Sequence, residues 1–303
     1  MKKAEGRKRD VPLKTRLADA TVRRICALES LERRVLKFYE RCRWRWVQQL
    51  LPAHYAYPLG TLRICRRHGI CFELDVGTRD GWMLYGHRST NWELVRHVRA
   101  GDVVFDLGAN QGETSLYFAQ ATGSRGKVYS FEPNPAMFAM LTRNIQLNPS
   151  LPCHAEPLAV GSAEGMAEMR QLDGRNPGTV SIDSKDIPFG GRLAPIRVTT
   201  LDRYVREKGI ERIDMMKIDV EGFELEVCKG AEASLRRWHP RLLLELMDKH
   251  QRMHAGSARL LVKWLEDLGY AIQNAHTGEA VKATDPLDDC CIDVWCTYSG
   301  GGR

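Results

Sequence analysis

The chain has 303 residues, 43% of them hydrophobic, and a formal charge of +7; that length buries a core sufficient for one or two domains. The charge is uneven: residues 1–50 hold 15 Lys/Arg against 6 Asp/Glu, and the remaining chain sums to −2, which argues against a uniformly basic nucleic-acid binder. Nine scattered cysteines form no C-x-x-C pair and read as reduced thiols in a cytoplasmic setting, and neither a transmembrane helix nor a signal peptide is expected.

Residues 1–55 are expected to form a basic helical N-terminal extension. Leu17, Ile25, Leu28, Leu31, Val35, Leu36 and Tyr39 recur at helical spacing, with Arg and Lys between them, up to RCRWRWVQQLL. Two readings stand. The arm packs on the body or on a twin subunit, or it lies as a basic amphipathic helix on an anionic surface, membrane or polyanion. Pro52 and Pro58 mark a linker. Residues 56–100 read as a small β/α lead-in. TLRICRR, ICFELDV and GWMLYG, separated by Gly69, Gly77 and Gly81, suggest a hairpin or meander, and NWELVRHV a short helix.

From residue 101 to 303 strands and helices alternate. VVFDLG, KVYSFEP, CHAEPLAV, IDMMKID and PRLLLEL read as strands, and YAIQNA and CIDVWCTY complete the series. TSLYFAQAT, PAMFAMLTRNIQLN, LDRYVREKG, FELEVCKGAEASLRRW and SARLLVKWLEDLG read as helices. Short strands punctuated by Gly and Pro form a β insertion at 164–200. This alternation predicts an α/β fold, a parallel sheet with helices on both faces.

In such sheets ligands sit at the carboxyl ends of the strands. The first strand ends in FDLGANQGETS, a glycine loop that carries Asp106 and Glu113. Gly108 allows a sharp turn, and Gly112 allows close approach of backbone to a ligand. Asn110 stands where the dinucleotide fingerprint needs its second glycine. A carboxylate here repels pyrophosphate and suits a ligand with a cationic end, such as S-adenosylmethionine, which has an ammonium, a sulfonium and no phosphate. Glu132 ends the second strand 24 residues after Gly108, where a βα unit places a carboxylate for ribose hydroxyls. Lys217 and Asp219 alternate onto one side of IDMMKID. Asp219 is expected at the rim beside Asp106, and Glu245 ends the next strand at that rim. Glu221 and Gly222 are expected to begin the following helix, where Glu221 suits the dipole; for Lys217 a structural ion pair is the plainer role.

These segments, VVFDLGANQGETS, VYSFEPNPAMFAMLTRNIQLN, LAVGS, VTTLDRYV, IDMMKIDVEGFELEVCKGAEASL and PRLLLEL, resemble the FkbM family of S-adenosylmethionine-dependent methyltransferases. They run in order over residues 101–246, and residues 1–60 fall outside the resemblance. It implies a class I, Rossmann-like methyltransferase sheet of seven strands, order 3-2-1-4-5-7-6, with the last strand antiparallel. It further implies that Asp106, Gly108, Asn110 and Gly112 bind the methionine part of the donor, with Ala109 beside them. Glu132 would take the ribose, and Pro133, Asn134 and Ala159, within Leu158–Gly161, the adenine side. Phe223 and Cys228 depart from the family pattern.

The family implies transfer of methyl to oxygen, on a sugar, a glycan or a secondary metabolite. Such a reaction needs alignment and removal of the acceptor's proton. Asp219 is the expected base, with Glu221 second and Lys217 beside them. A Mg²⁺ on Asp219 and Glu245 is a weaker alternative. His250 and His254 read as a surface turn or as the lining of an acceptor cleft, and His239 as a loop residue. Two rival functions remain: a nucleic-acid methyltransferase that uses the basic arm, and a binding protein that keeps the fold without catalysis. The first would want an N-P-P-Y-type motif where the chain has IDVEG.

Overall fold

A computed structural model describes residues 28–48, 50–173, 176–182, 193–254 and 256–300, and side chains outside 171–194. Leu17 and Ile25 of the predicted arm, and the side chains of the insertion's tip, lie outside the described residues. The chain divides into two compact units, residues 1–63 with 74–89, and residues 64–73 with 90–303.

In the first unit, helix α1 spans Glu29–Cys42 and α2 Arg45–Gln48. The helical arm read from the spacing is interrupted at Arg43, which is left-handed (φ 53°). Glu32 is fully buried and accepts from Arg63 Nε (3.0 Å) and Tyr85 Oη (3.4 Å). Gln48 Nε2 donates to the His87 carbonyl (3.1 Å), and Trp82 Nε1 to that of Pro52 (2.6 Å). GWMLYG is not a strand: it lies in helix α3, Arg79–Tyr85. Thr78 caps this helix by accepting from Gly81 N, and a Cβ on Gly81 would meet the Asp75 carbonyl at 2.2 Å.

Strands β1 (Leu62–Arg67) and β2 (Ile70–Asp75) form the predicted hairpin. Its two turn residues, His68 and Gly69, both have positive φ (48° and 89°), as a tight primed turn requires. NWELVRH is a 3₁₀ helix, Asn91–His97.

The second unit is built on a seven-stranded sheet: β3 (Val103–Leu107), β4 (Lys127–Phe131), β5 (Cys153–Glu156), β10 (Met215–Ile218), β11 (Arg241–Met247), β12 (Tyr270–Asn274) and β13 (Cys291–Tyr298). Counted along the chain within this sheet, the order is 3-2-1-4-5-7-6. Its seventh strand, β13, pairs antiparallel with both neighbours, and the other pairings are parallel. Helices α4 (Glu113–Thr122), α5 (Pro135–Gln146) and α6 (Leu201–Glu207) alternate with the strands, as do α7 (Glu224–Gly230), α8 (Glu232–Trp238), α9 (Asp248–Arg252) and α10 (Ala258–Asp267). Phe105, Leu107, Met216, Ile218 and Leu244 are fully buried, as strands covered on both faces must be. In α10, Leu261, Val262 and Leu265 are fully buried at helical spacing, and Ser257 caps its first turn.

Three expectations fail here. CHAEPLAV is not one strand: Pro157 separates β5 from β6 (Ala159–Val160), which leaves the main sheet for a smaller one. That sheet, order β6-β9-β7-β8, adds β7 (Gly165–Asp173), β8 (Asn176–Ile182) and β9 (Leu193–Thr199), the predicted insertion. FELEVCKGAEASLRRW is two helices broken at Ala231. There Gly230 packs so close to Gly161 that a Cβ would lie 1.9 Å from its carbonyl oxygen. Glu221 and Gly222 do not begin α7: both have positive φ (55° and 102°), and the helix starts at Glu224. Among the described residues no helix is long and apolar enough to cross a membrane.

Candidate active site

Parallel pairing sets Asp106 on β3 beside Lys217 on β10, and alternation keeps Asp219 on the same side as Lys217. The ammonium lies 3.0 Å from Asp219 Oδ2 and 3.6 Å from Asp106 Oδ1. Asp106 is fully buried, and Ser115 Oγ donates to its Oδ2 at 2.5 Å; Oδ1 accepts no hydrogen bond. Burial pushes the Asp106 carboxyl up from its ordinary range, with Lys217 and Ser115 pulling it back. Burial works against the charge on Lys217, but Asp219 and Asp106 outweigh it and hold the amine above its usual pKa. Asp219 keeps 42% of its side chain exposed, so it is the member of the trio that faces solvent.

The glycine loop is held against these strands by its backbone. Gly108 N and Ala109 N donate to the Phe131 carbonyl (3.0 and 2.9 Å). Gly108 has φ 83°, and a Cβ there would sit 1.8 Å from the Asp219 carbonyl oxygen; no other residue fits. Asn110 is left-handed (φ 49°), and its N–H donates to Glu132 Oε2 at 2.7 Å. Gly112, φ 89°, immediately precedes α4, and a Cβ there would press on Leu141 at 2.6 Å. Glu132 is buried, and its Oε1 accepts from Asn134 N at 2.8 Å. Burial drives its carboxyl up to about 7 despite both N–H donors. Pro133 is half-buried, and Asn134 caps α5 through Ala136 N (3.0 Å). Ala159 does not share this rim through its side chain, which is buried with Ala167, Met169 and Ile196.

Beyond Asp219 the chain turns through Glu221, whose Oε2 lies 3.0 Å from His250 Nδ1. Gly222 packs on the His250 backbone, where a Cβ would meet the carbonyl at 2.5 Å. The buried acid that organises this turn is Glu224. Its Oε1 accepts from Val220 N and Gly222 N (3.2 and 3.0 Å), Gln251 Nε2 donates to Oε2 (3.3 Å), and burial raises it to about 7. Glu245, half-buried on β11, pairs in register with Asp293 on β13. Burial first, then Asp219, Glu221, Glu224 and Asp293, lift it to about 8. Among the described residues no three His, Cys, Asp or Glu side chains group as metal ligands do.

Sequence reasoning missed Ser115, Glu224, His250's pairing with Glu221, and Asp293. Glu224 sits in the quoted run IDVEGFELE, but a carboxylate there reads as a solvated first-turn acid until its burial is seen. His254 meets Phe223 edge-on, ring centroids 5.3 Å apart, and His239 stacks on Tyr298 at 3.6 Å, away from the turn.

The family profile for the methyltransferase FkbM domain matches residues 106–272, more than half of the chain. The chain belongs to the FkbM methyltransferase family. It is 28% identical over 166 residues to methyltransferase sdnD of Sordaria araneosa, covering 46% of this chain and 63% of that one. The 31-O-demethyl-FK506 methyltransferase FkbM of Streptomyces tacrolimicus is 29% identical over 186 residues, 52% of this chain and 71% of its own. The hexuronic acid methyltransferase AglP of Haloferax volcanii is 27% identical over 150 residues, 47% and 55%. The chain thus spans less than two thirds of sdnD and of AglP. The FkbM match begins at Asp106 and includes the glycine loop, Glu132, the Lys217–Asp219 pair and Glu245; residues 1–105 lie outside it.

Proposed function

We propose that this FkbM-family chain transfers a methyl group from S-adenosylmethionine to a hydroxyl oxygen on a sugar, a glycan or a secondary metabolite. The observation that carries the reading is the row of carboxylates Asp106, Glu132, Asp219 and Glu245 at neighbouring strand ends, around a loop pinned by Gly108. When bound, the donor supplies an electrophilic methyl on a sulfonium; the chain's part is to hold, align and accept a proton.

The residues fit that donor. Asp106 Oδ1 accepts no hydrogen bond and lies 3.6 Å from the Lys217 ammonium, and the half-exposed carboxylate of Asp219 is open to a cationic end. Asp106, Gly108, Ala109, Asn110 and Gly112 would hold the methionine part. Glu132 would take the ribose, because each of its oxygens accepts one backbone N–H and has room for another donor. Pro133, Asn134 and the backbone at Ala159 would flank the adenine. Asp219, exposed and held by Lys217, accepts the acceptor's proton; Glu221, set against His250, is the second candidate. Lys217 is a positioning residue. No Mg²⁺ is proposed, because Asp219 and Glu245 gain no third ligand among the described residues.

The described cysteines are free thiols, which supports a cytoplasmic setting. Separately, the basic arm is proposed to contact an anionic surface in preference to a twin subunit. Calorimetric titration with S-adenosylmethionine and S-adenosylhomocysteine tests the donor, and transfer of labelled methyl to sugar hydroxyls and to RNA tests the acceptor. Uptake of both ligands with label on a hydroxyl compound is expected. Folded protein that ignores both but binds a nucleotide phosphate tightly overturns the proposal, as does label found only in RNA.

A further inference from the structure

The first unit carries an apolar surface that its own core does not use. In α1, Glu32 and Leu36 are buried on one face. Leu31, Val35, Phe38 and Cys42 follow at i, i+4, i+7 and i+11 and form a second stripe. Leu31 is 36% exposed and Phe38 47%. Beyond the left-handed Arg43, Phe38 meets Trp44 edge-to-face at 6.0 Å, and Trp44 stacks on Trp46 at 5.9 Å. The two tryptophans are 54% and 53% exposed, and Leu28 and Leu50 are exposed as well. Arg34, Lys37, Arg41, Arg43 and Arg45 are all exposed alongside this cluster.

We infer that this surface docks the protein on an anionic lipid membrane. Leu31, Phe38, Trp44 and Trp46 enter the boundary between headgroups and acyl chains, and the flanking arginines meet lipid phosphates. Tryptophan suits that boundary because its ring is apolar and its N–H polar.

The observations separate this occupant from three others. A nucleic acid would use the arginines and open ring faces, but it has no use for the aliphatic residues Leu28, Leu31, Val35 and Leu50. A second copy would set Arg34, Arg41, Arg43 and Arg45 against like charges. Residues 1–27 carry nine Lys/Arg against three Asp/Glu, a charge of the same sign as that border, which disfavours that segment as the occupant. The charge of the whole arm, 15 basic against 6 acidic residues over 1–50, matches a negative surface.

The inference does not rest on the methyl-transfer reading. The full-length protein is sedimented with phosphatidylcholine vesicles, with and without phosphatidylglycerol, while tryptophan emission is recorded. Two variants accompany it, Trp44→Ser/Trp46→Ser and Arg41→Glu/Arg43→Glu/Arg45→Glu; all five positions are exposed, where substitutions disturb folding little. Binding to the anionic vesicles, with a blue shift of emission, is expected, weakened about tenfold or more in either variant and by salt. No vesicle binding, or equal binding by wild type and variants, overturns the inference. Retention on heparin or RNA without vesicle binding overturns it in favour of a soluble polyanion. Self-association that the tryptophan variant abolishes, without vesicle binding, overturns it in favour of a second copy.

Discussion

Lys217→Met tests whether the centre of the site is a neutralised buried charge. Lys217 Nζ stands 3.0 Å from Asp219 and 3.6 Å from Asp106. Asp219 is exposed enough to be rehydrated when the amine is lost, so its share of the cost is about 0–1 kcal/mol. Asp106 is fully buried, and Ser115 is its one remaining hydrogen-bond donor. Breaking a buried pair by removing one partner costs roughly 3–5 kcal/mol, and nearly all of it falls on Asp106. The pH dependence follows from the sign of the shift. Burial raises the Asp106 pKa in the folded chain, and loss of Lys217 raises it further. The carboxyl therefore favours folding while protonated, and that contribution is lost as pH rises through the folded value. Urea unfolding should show the variant weakened by about 3–5 kcal/mol near pH 8 and by clearly less near pH 5. Asp106→Asn added to Lys217→Met should recover much of the loss, because the buried charge is gone. A loss under about 1 kcal/mol near pH 8, or one that does not change with pH, would show that Lys217 is not there to neutralise Asp106.

The other predictions concern the loop, the ribose acid and the base. Gly108→Ala combines a positive φ with a Cβ 1.8 Å from the Asp219 carbonyl oxygen; a loss of about 2–4 kcal/mol and of donor binding by calorimetry is expected. Gly123→Ala, φ 65° and ψ −174° in open space, is the control: backbone strain alone should cost about 1–3 kcal/mol with donor binding intact. Glu132 titrates near 7 in the folded chain and accepts hydroxyl donors on all its lone pairs only when ionised. Donor affinity should therefore rise about tenfold from roughly pH 6 to 8, with proton release detectable in buffers of different ionisation heat, and Glu132→Gln should flatten the profile. Without donor, raising the pH through that value removes the stability that protonated Glu132 contributes. Asp219→Asn should lower kcat by about 10²–10⁴ in a labelled-methyl assay, with donor affinity changed far less; an unchanged kcat assigns the proton to another group.

Much of the site was legible because each part is local. A buried strand ending in Asp106, followed by two spaced glycines, needs no tertiary knowledge, and Glu132 and Asp219 are placed by the same strand-end logic. What the sequence concealed lies partly in short-range capping and chain breaks and partly in contacts between distant segments. GWMLYG has the apolar density of a strand, and Thr78 accepting from Gly81 makes it a helix. Pro157 splits a single apolar run between two sheets. Gly230 against Gly161 breaks an otherwise uniform helical pattern. Glu224 gave the same surface signal as Glu226, yet one is 1% exposed beneath the turn after Asp219 and the other pairs at the surface with Lys229.

The crowding of acids has a chemical consequence for what can bind. Asp106, Glu132, Asp219, Glu221, Glu224, Glu245 and Asp293 gather on one edge of the sheet or just behind it, with Lys217 as the buried cation among them. They cannot all ionise cheaply: burial and mutual repulsion raise Glu132 and Glu224 to about 7 and Glu245 to about 8. Near neutral pH the cluster is thus held short of its full charge. A cationic ligand lowers the cost of ionising each carboxylate it faces, so its binding and the loss of protons reinforce one another. An anionic ligand has the opposite effect and must either bring protons with it or stay outside. On the proposed reading the same cluster would favour a sulfonium donor over a phosphate cofactor, and at the exposed end, where Asp219 stands beside Glu221 and Glu245, it would favour an uncharged hydroxyl acceptor over one that carries a carboxylate or phosphate close to the reacting oxygen.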